Sequence, residues 1–400
     1  MYGVIWTYPW DVLDAGIDAA LGQIANEGGM RAISLSHSYH NVKHLRPHNP
    51  GRRLFVANSS AIYFQPDLKR YGTVKPIVAP LVQEDDGMRR IRDAVEKHGL
   101  AYHAWTVTLH NSALGTIYPD INTLNALGDR IPHYLCPSNT DVRTYITALV
   151  SDIADNLAPA QVELEFLHFG TFDHDVHHGI PSVELDAFTE YLLGLCFCPH
   201  CLGRAQAAGV DGAAVRQWAR GHILDYLEGD HLPALGGLGD NIAGHALTFP
   251  ALDGYLRMRI DSVMSLWAEC KEALGGTSDF VPIVNMGVGM PEQASVIQAL
   301  DGVDIGRALA EGIPNELLDC AAYSLDGLIL ARAVHDLQRL VDGRVPIREG
   351  LRLIPPQVIT SADVAGQIEK VRALDIERVN LYNYGLMRLA NLRAAKQALA

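Results

Sequence analysis

The chain has 400 residues, 48% hydrophobic and 20% charged, with a formal net charge of −14 at pH 7. This composition suits an ordinary globular protein with an extensive core, and the acidic balance argues against nucleic acid or an anionic membrane surface as the main partner. No apolar run approaches the roughly 20 residues of a membrane span. The opening MYGVIWTYPWD has no basic and apolar leader pattern, and six cysteines, three of them crowded together, fit a reducing compartment. The expectation is a cytoplasmic protein, with self-association left open.

Eight apolar strand patterns follow in chain order: 3–6, 32–36, 101–106, 162–167, 280–285, 320–323, 346–349 and 378–382. Between them lie helical periodicities at 14–26, 87–98, 141–157, 256–274, 303–311, 328–341 and 362–374. Alternating strands and helices imply right-handed parallel crossovers. Eight such units in this length predict an α/β fold of the (β/α)8 TIM barrel type, one domain spanning 1–400. No glycine fingerprint follows the first strand, so an open dinucleotide-binding sheet is the weaker alternative.

The long insertions all follow strands. HSYHNVKHLRPHNPGRR comes after strand 2, LHNSALGTIYPDINTLNALGDRIPHYLCPSN after strand 3, and a His- and Cys-rich region after strand 4. Such βα loops gather on one face of a barrel and build a pocket there. Residues 180–255, rich in Gly and Ala, are expected to form a small helical insertion after strand 4.

The strand ends carry aromatic rings beside amide, imidazole and guanidinium groups, a mixture that suits a sugar: rings stack on C–H faces while polar groups pair with hydroxyls. Trp6, Trp105 and Tyr323 are the expected platforms. His37, His110, Asn111 and Asn285 are the expected hydroxyl ligands, with His168 and Arg348 as further polar neighbours. No catalytic cofactor is needed for this chemistry.

The run VELEFLHFG places Glu163 and Glu165 near the end of strand 4, and VPIREG places Glu349 at the end of strand 7. Glu163 is expected to face water between barrel and helices, and Glu165 to carry the chemistry. Glycoside hydrolysis needs one acid to protonate the leaving oxygen and a second carboxylate as nucleophile or base. Strands 4 and 7 lie across a barrel mouth, so Glu165 and Glu349 form the expected pair. A structural ion pair is the alternative role for Glu349.

This order of features resembles the clan-A glycoside hydrolases, (β/α)8 barrels with an acid/base Glu ending strand 4 and a nucleophile Glu ending strand 7. Over about Tyr134–Cys201 the segments LCPSNTDVRTYITALVSDIADNLAP, VELEFLHF and LCFCPHC also look like bacterial glycosyl-hydrolase-like barrel proteins. The resemblance implies Glu165 as general acid/base and Glu349 as nucleophile. Many clan-A enzymes have Asn immediately before the acid/base Glu, whereas Leu164 stands here; the polar neighbour would come from Asn111, His168 or Asn285.

Cys196, Cys198 and Cys201 in CFCPHC are close enough to share a tetrahedral zinc, with Cys136, His200 or a nearby histidine as the fourth ligand. The alternative is that they are buried core thiols. CFCPHC is similar to the cysteine knot of some clan-A β-galactosidases, which implies a structural rather than catalytic zinc. Two rival functions remain. His174, Asp175, His177 and His178, with His37 and His40, could hold a metal for hydrolysis or sugar isomerisation. A non-catalytic carbohydrate-binding barrel is the other.

Overall fold

A computed structural model of the chain describes residues 1–83, 86–172, 183–229, 236–285 and 294–400. Eight parallel strands form the barrel: β1 (Tyr2–Thr7), β2 (Ala32–Tyr39), β3 (Ala101–Val107), β4 (Gln161–Glu165), β5 (Asp279–Val284), β6 (Leu317–Asp319), β7 (Ile347–Arg352) and β8 (Arg378–Tyr382). Each pairs with its successor, and β8 pairs with β1 as β1 does with β2, so the ring is closed. Closure removes the unpaired edges that an open sheet would expose. The fold is the (β/α)8 barrel that the alternating pattern predicts.

Three of the element boundaries that differ from the sequence expectation have a plain local cause. The residues read as strand 6, Cys320–Tyr323, lie beyond the strand: β6 is Leu317–Asp319, and Ala321–Tyr323 form a helical turn. A short apolar run does not by itself distinguish the two conformations. The helix expected at 14–26 begins earlier, with Pro9 at its first position, and breaks at Gly16, whose φ of 89° only glycine adopts at little cost. β4 stops at Glu165 because Phe166 has φ of 60°.

Long excursions leave the C-terminal ends of the strands. A hairpin of Val42–Leu45 with Leu54–Ala57 follows β2, and a second, Asn122–Leu124 with Arg130–Leu135, follows β3. Between β4 and β5 run helices Ala187–Gly194, Pro199–Ala207, Gly212–Glu228, Leu238–Thr248 and the 24-residue Pro250–Ala273. Among the described residues no helix is long and apolar enough to cross a membrane.

The period of two along each strand sorts side chains into the barrel interior or the layer beneath the helices. Val162 and Leu164 of β4 pack outward in the apolar core, so Glu163 and Glu165 share the inward face. Glu163 is therefore not at the water-facing position expected of it. It sits in the barrel floor, fully buried, where Arg348 of β7 reaches it at 3.0 Å. Trp6 Nε1 (3.1 Å), Ser34 Oγ (2.6 Å) and Asn380 Nδ2 (3.4 Å) donate to the same carboxylate, and His103 Nδ1 lies 3.3 Å away. A carboxylate buried this deeply requires such a set of partners. Burial opposes its charge, but Arg348 and the bonds from His103 and Ser34 prevail and hold its pKa at about 2.

Candidate active site

Above this floor, at the C-terminal mouth, a cavity of about 190 Å³ is lined by Trp6, Tyr39, Trp105, Glu165, Tyr323, Arg352 and Tyr382. It is smaller than the several hundred Å³ of a drug-sized site and suits a single small ring. The strand period explains most of the lining. Arg348, Gly350 and Arg352 alternate inward on β7, and Asn380 and Tyr382 do so on β8. At Gly350 a Cβ would lie 3.0 Å from the Trp6 ring and 2.9 Å from Cys320 Sγ, so only glycine lets the tryptophan stand there.

Glu165 is half-buried on one wall of the cavity, and Trp105 Nε1 donates to its Oε2. Burial raises its pKa to about 7; the Trp105 bond and nearby His110 pull the other way, and the charge of Glu163 adds to the rise. A carboxyl near neutrality in a cavity can hold a proton at physiological pH and release it to a reacting oxygen. Tyr39 and Tyr382 face it, joined through the Tyr8 hydroxyl at 2.9 and 2.8 Å. Burial raises the pKa of all three phenols, which keeps them neutral hydrogen-bonding groups rather than phenolate nucleophiles.

The expected site residues divide. Trp6, Trp105, Tyr323 and Glu165 come together in the cavity, whereas the others do not line it. His37 is turned outward, with its ring nitrogens 2.7 Å from Leu35 O and from the Tyr102 hydroxyl. Parity counted from the inward Ser34 already turns His37 outward, and a bulge in β2 between Ser36 and Ser38 then reverses the alternation and brings Tyr39 into the pocket. Asn111 caps the helix Ser112–Ile117 by accepting from Leu114 N at 3.0 Å. Asn285 donates to Asp319 at 2.6 Å and accepts from Gln298 at 2.6 Å. His168 packs at a tilt against Phe166, and Arg348 is held in the floor. His110 packs against Phe166 and Tyr134, close enough to act on Glu165 through its charge.

Glu349 is the main correction. It lies between the inward Arg348 and Gly350, so its side chain belongs to the helix-facing side of β7, and it is absent from the cavity wall. There Oε1 accepts from Ala322 N at 2.7 Å, and Asp319, its register partner on β6, stands beside it. Burial and the neighbouring carboxyl raise Glu349 well above the usual range, and burial lifts Asp319 to about 6. The two acids share a site as a proton-holding pair. Strands 4 and 7 do meet across the barrel, but one layer deeper, through Glu163 and Arg348.

Cys136, Cys196, Cys198 and Cys201 are fully buried with their sulfurs within 4.8 Å of one another. Cys136 Sγ lies 3.5 Å from Cys198 and Cys201 and 3.7 Å from Cys196. Four zinc–sulfur bonds of about 2.3 Å in a tetrahedron set sulfurs about 3.8 Å apart, so the donor set and its geometry fit zinc. Among the described residues this is the one metal-ready cluster of His, Cys, Asp or Glu. None of the four lines the cavity. Cys270 and Cys320 are buried outside the cluster. His174, Asp175, His177 and His178 of the rival metal centre lie outside the described residues.

Three lining residues, Tyr39, Arg352 and Tyr382, were not among the expected ligands. Parity counted from Arg348 or Asn380 would have found the last two; the bulge hides Tyr39 from any period-2 count.

No family model and no curated protein sequence matches the chain. Solved structures match its fold. The catalytic domain of β-amylase from Paenibacillus polymyxa aligns with TM-score 0.59 and 12% identity over 100% of this chain and 97% of that one. The PgaB (BpsB) glycoside hydrolase domain from Bordetella bronchiseptica gives 0.57 and 14% over 100% and 99%. The β-galactosidase from the psychrophilic Marinomonas ef1 gives 0.53 and 11% over 100% and 59%. The likeness to these structures is one of fold.

Proposed function

We propose that the protein is a glycoside hydrolase in which Glu165 is the general acid, acting on a monosaccharide unit seated among Trp6, Trp105, Tyr39, Tyr323 and Tyr382. The observation that carries this reading is the carboxyl of Glu165, raised to about 7, on the wall of an aromatic cavity at the barrel mouth. Its protonated form donates to the leaving oxygen as the glycosidic bond breaks, a water oxygen bonds to the anomeric carbon in place of the leaving group, and the Glu165 carboxylate, stabilised by Trp105 Nε1–H, regains its proton from that water. Aromatic faces hold the ring, and the Tyr39–Tyr8–Tyr382 hydroxyl chain pairs with sugar hydroxyls. Glu349, turned to the other side of β7, is not given the nucleophile's role. Among the described residues Glu165 is the carboxyl that lines the cavity. The shared fold of β-amylase, the PgaB domain and β-galactosidase supports the reading as analogy. Zinc at Cys136, Cys196, Cys198 and Cys201 would clamp the loop after β3 to the insertion after β4, a structural task.

The test is turnover of a panel of aryl glycosides by wild type and Glu165→Gln. Glu165→Gln should lower kcat/KM about 10²- to 10⁴-fold on poor leaving groups and much less on activated ones. Equal activity in both proteins would overturn the assignment, and sugar binding with no turnover in either would favour the non-catalytic carbohydrate-binding barrel.

A further inference from the structure

Arg352 is the cavity group that this mechanism does not use. It ends β7 with its side chain inward, half-buried, beside Tyr323, and its guanidinium carbon lies 5.5 Å from that ring's centroid. Its Nε is shielded from solvent and has no acceptor, and the guanidinium makes neither hydrogen bond nor ion pair with any described residue. The other inward arginine of the same strand differs: Arg348 is met by Glu163 at 3.0 Å and Glu316 at 3.7 Å. Nor is Arg352 ion-paired with Glu165, whose Oε2 accepts from Trp105 Nε1 instead. A shielded guanidinium N–H left without an acceptor costs folding energy that an arriving acceptor would recover.

Glu165 and Arg352 are the ionisable acid and base on the cavity wall. With Glu165 holding its proton, the cavity carries a net positive charge that a neutral sugar leaves uncompensated. A planar carboxylate matches the guanidinium fork in two parallel hydrogen bonds. Resting on the sugar reading above, we propose that Arg352 reads an anionic substituent, making the substrate class glycosides of acidic monosaccharides, of which uronic acids are the simplest.

The experiment is calorimetric or ligand-observed NMR titration at pH 7 with glucuronate, galacturonate and glucose 6-phosphate against glucose and galactose. It uses wild type, Arg352→Gln and Arg352→Lys, with aryl glucuronide and aryl glucoside turnover in parallel. At least one acidic sugar should bind wild type about tenfold or more tighter than its neutral counterpart, as a lost charge-assisted bidentate pair implies. Arg352→Gln should erase that preference. Arg352→Lys should retain it better for phosphate, which accepts a point charge, than for carboxylate. A phosphate preference without a uronate preference would assign the substituent as phosphate. Equal or absent binding of acidic and neutral sugars to wild type overturns the inference even if Arg352→Gln does not fold. So does a preference that survives in Arg352→Gln. Acidic-sugar binding without turnover would sink the hydrolase reading and leave this one standing; turnover of neutral glycosides indifferent to Arg352 would do the reverse.

Discussion

Glu163 and Glu165 stand two residues apart on β4 and point into the same barrel, yet their carboxyls are displaced in opposite directions, one to about 2 and the other to about 7. The difference lies in their partners. Glu163 meets a guanidinium at 3.0 Å and several donors, whereas Glu165 has the single indole N–H of Trp105 and an open cavity. Acids separated in this way by their surroundings commonly divide structural and catalytic labour.

The Glu165 acid should govern the alkaline limb of the pH profile. Its protonated form is the active one, so kcat/KM should fall as pH rises through about 7. In Trp105→Phe the ionised form loses its donor, and the limb should move upward, by on the order of one pH unit. A pH–rate profile checks both; a limb that stays put in Trp105→Phe would detach the indole from the acid.

The floor pair should dominate acid stability. Glu163 is ionised in the folded chain down to about pH 2, against an ordinary value of 4.5. Its contribution is therefore complete above about pH 4.5 and lost as pH falls toward 2. Arg348→Met should cost about 3–5 kcal/mol by leaving that buried carboxylate without its counter-charge, and Glu163→Leu combined with Arg348→Met should recover much of it. Denaturant unfolding at pH 7 and pH 3, inside the window between about 4.5 and 2, provides the measurement.

Glu349→Gln distinguishes the helix-facing acid from a nucleophile. An amide keeps an acceptor for Ala322 N and ends the crowding with Asp319, so activity should remain within about threefold. Stability should be unchanged or higher above about pH 6, where Asp319 ionises. Glu349→Ala should instead cost about 1–3 kcal/mol by orphaning that N–H. A thousandfold loss of turnover in Glu349→Gln would return the residue to the chemistry.

The cysteine cluster should hold about one zinc per chain in protein purified without a histidine tag, measured by elemental analysis. Chelation or Cys198→Ser should lower the melting temperature more than the activity of the protein that remains folded. Metal-free protein with the same melting temperature would leave the thiols as core groups.

Much of the architecture was legible because strand and helix periods are local: seven of the eight barrel strands overlap their expected positions, and β8 coincides with its expectation at Arg378–Tyr382. The lining was legible only in part. Trp6, Trp105 and Glu165 sit toward strand ends where the barrel rule looks for them, and Tyr323 stands in the helical turn beyond β6. Glu349 misled because adjacent strand residues face opposite ways, and Arg348 beside it takes the interior. The same rule, applied within VELE, would have put Glu163 and Glu165 on one face from the outset. Tyr39 depends on a bulge that exists only through the mismatch of β2 with β3, a relationship between strands that no single segment encodes.

The thiol cluster also bears on how the segment carrying β4 is held. Cys196 follows Cys136 by 60 residues, and the loop they close contains all of β4, with Glu165 on it. Closing such a loop in a flexible chain costs on the order of 4 kcal/mol. Two residues before Cys136, Tyr134 stacks on Phe166 with centroids 5.1 Å apart and planes 3° from parallel, directly beyond Glu165. A metal bound across these thiols would tie Cys136 to Cys196 and so hold the two ends of the loop that carries β4 and Glu165 at a fixed separation.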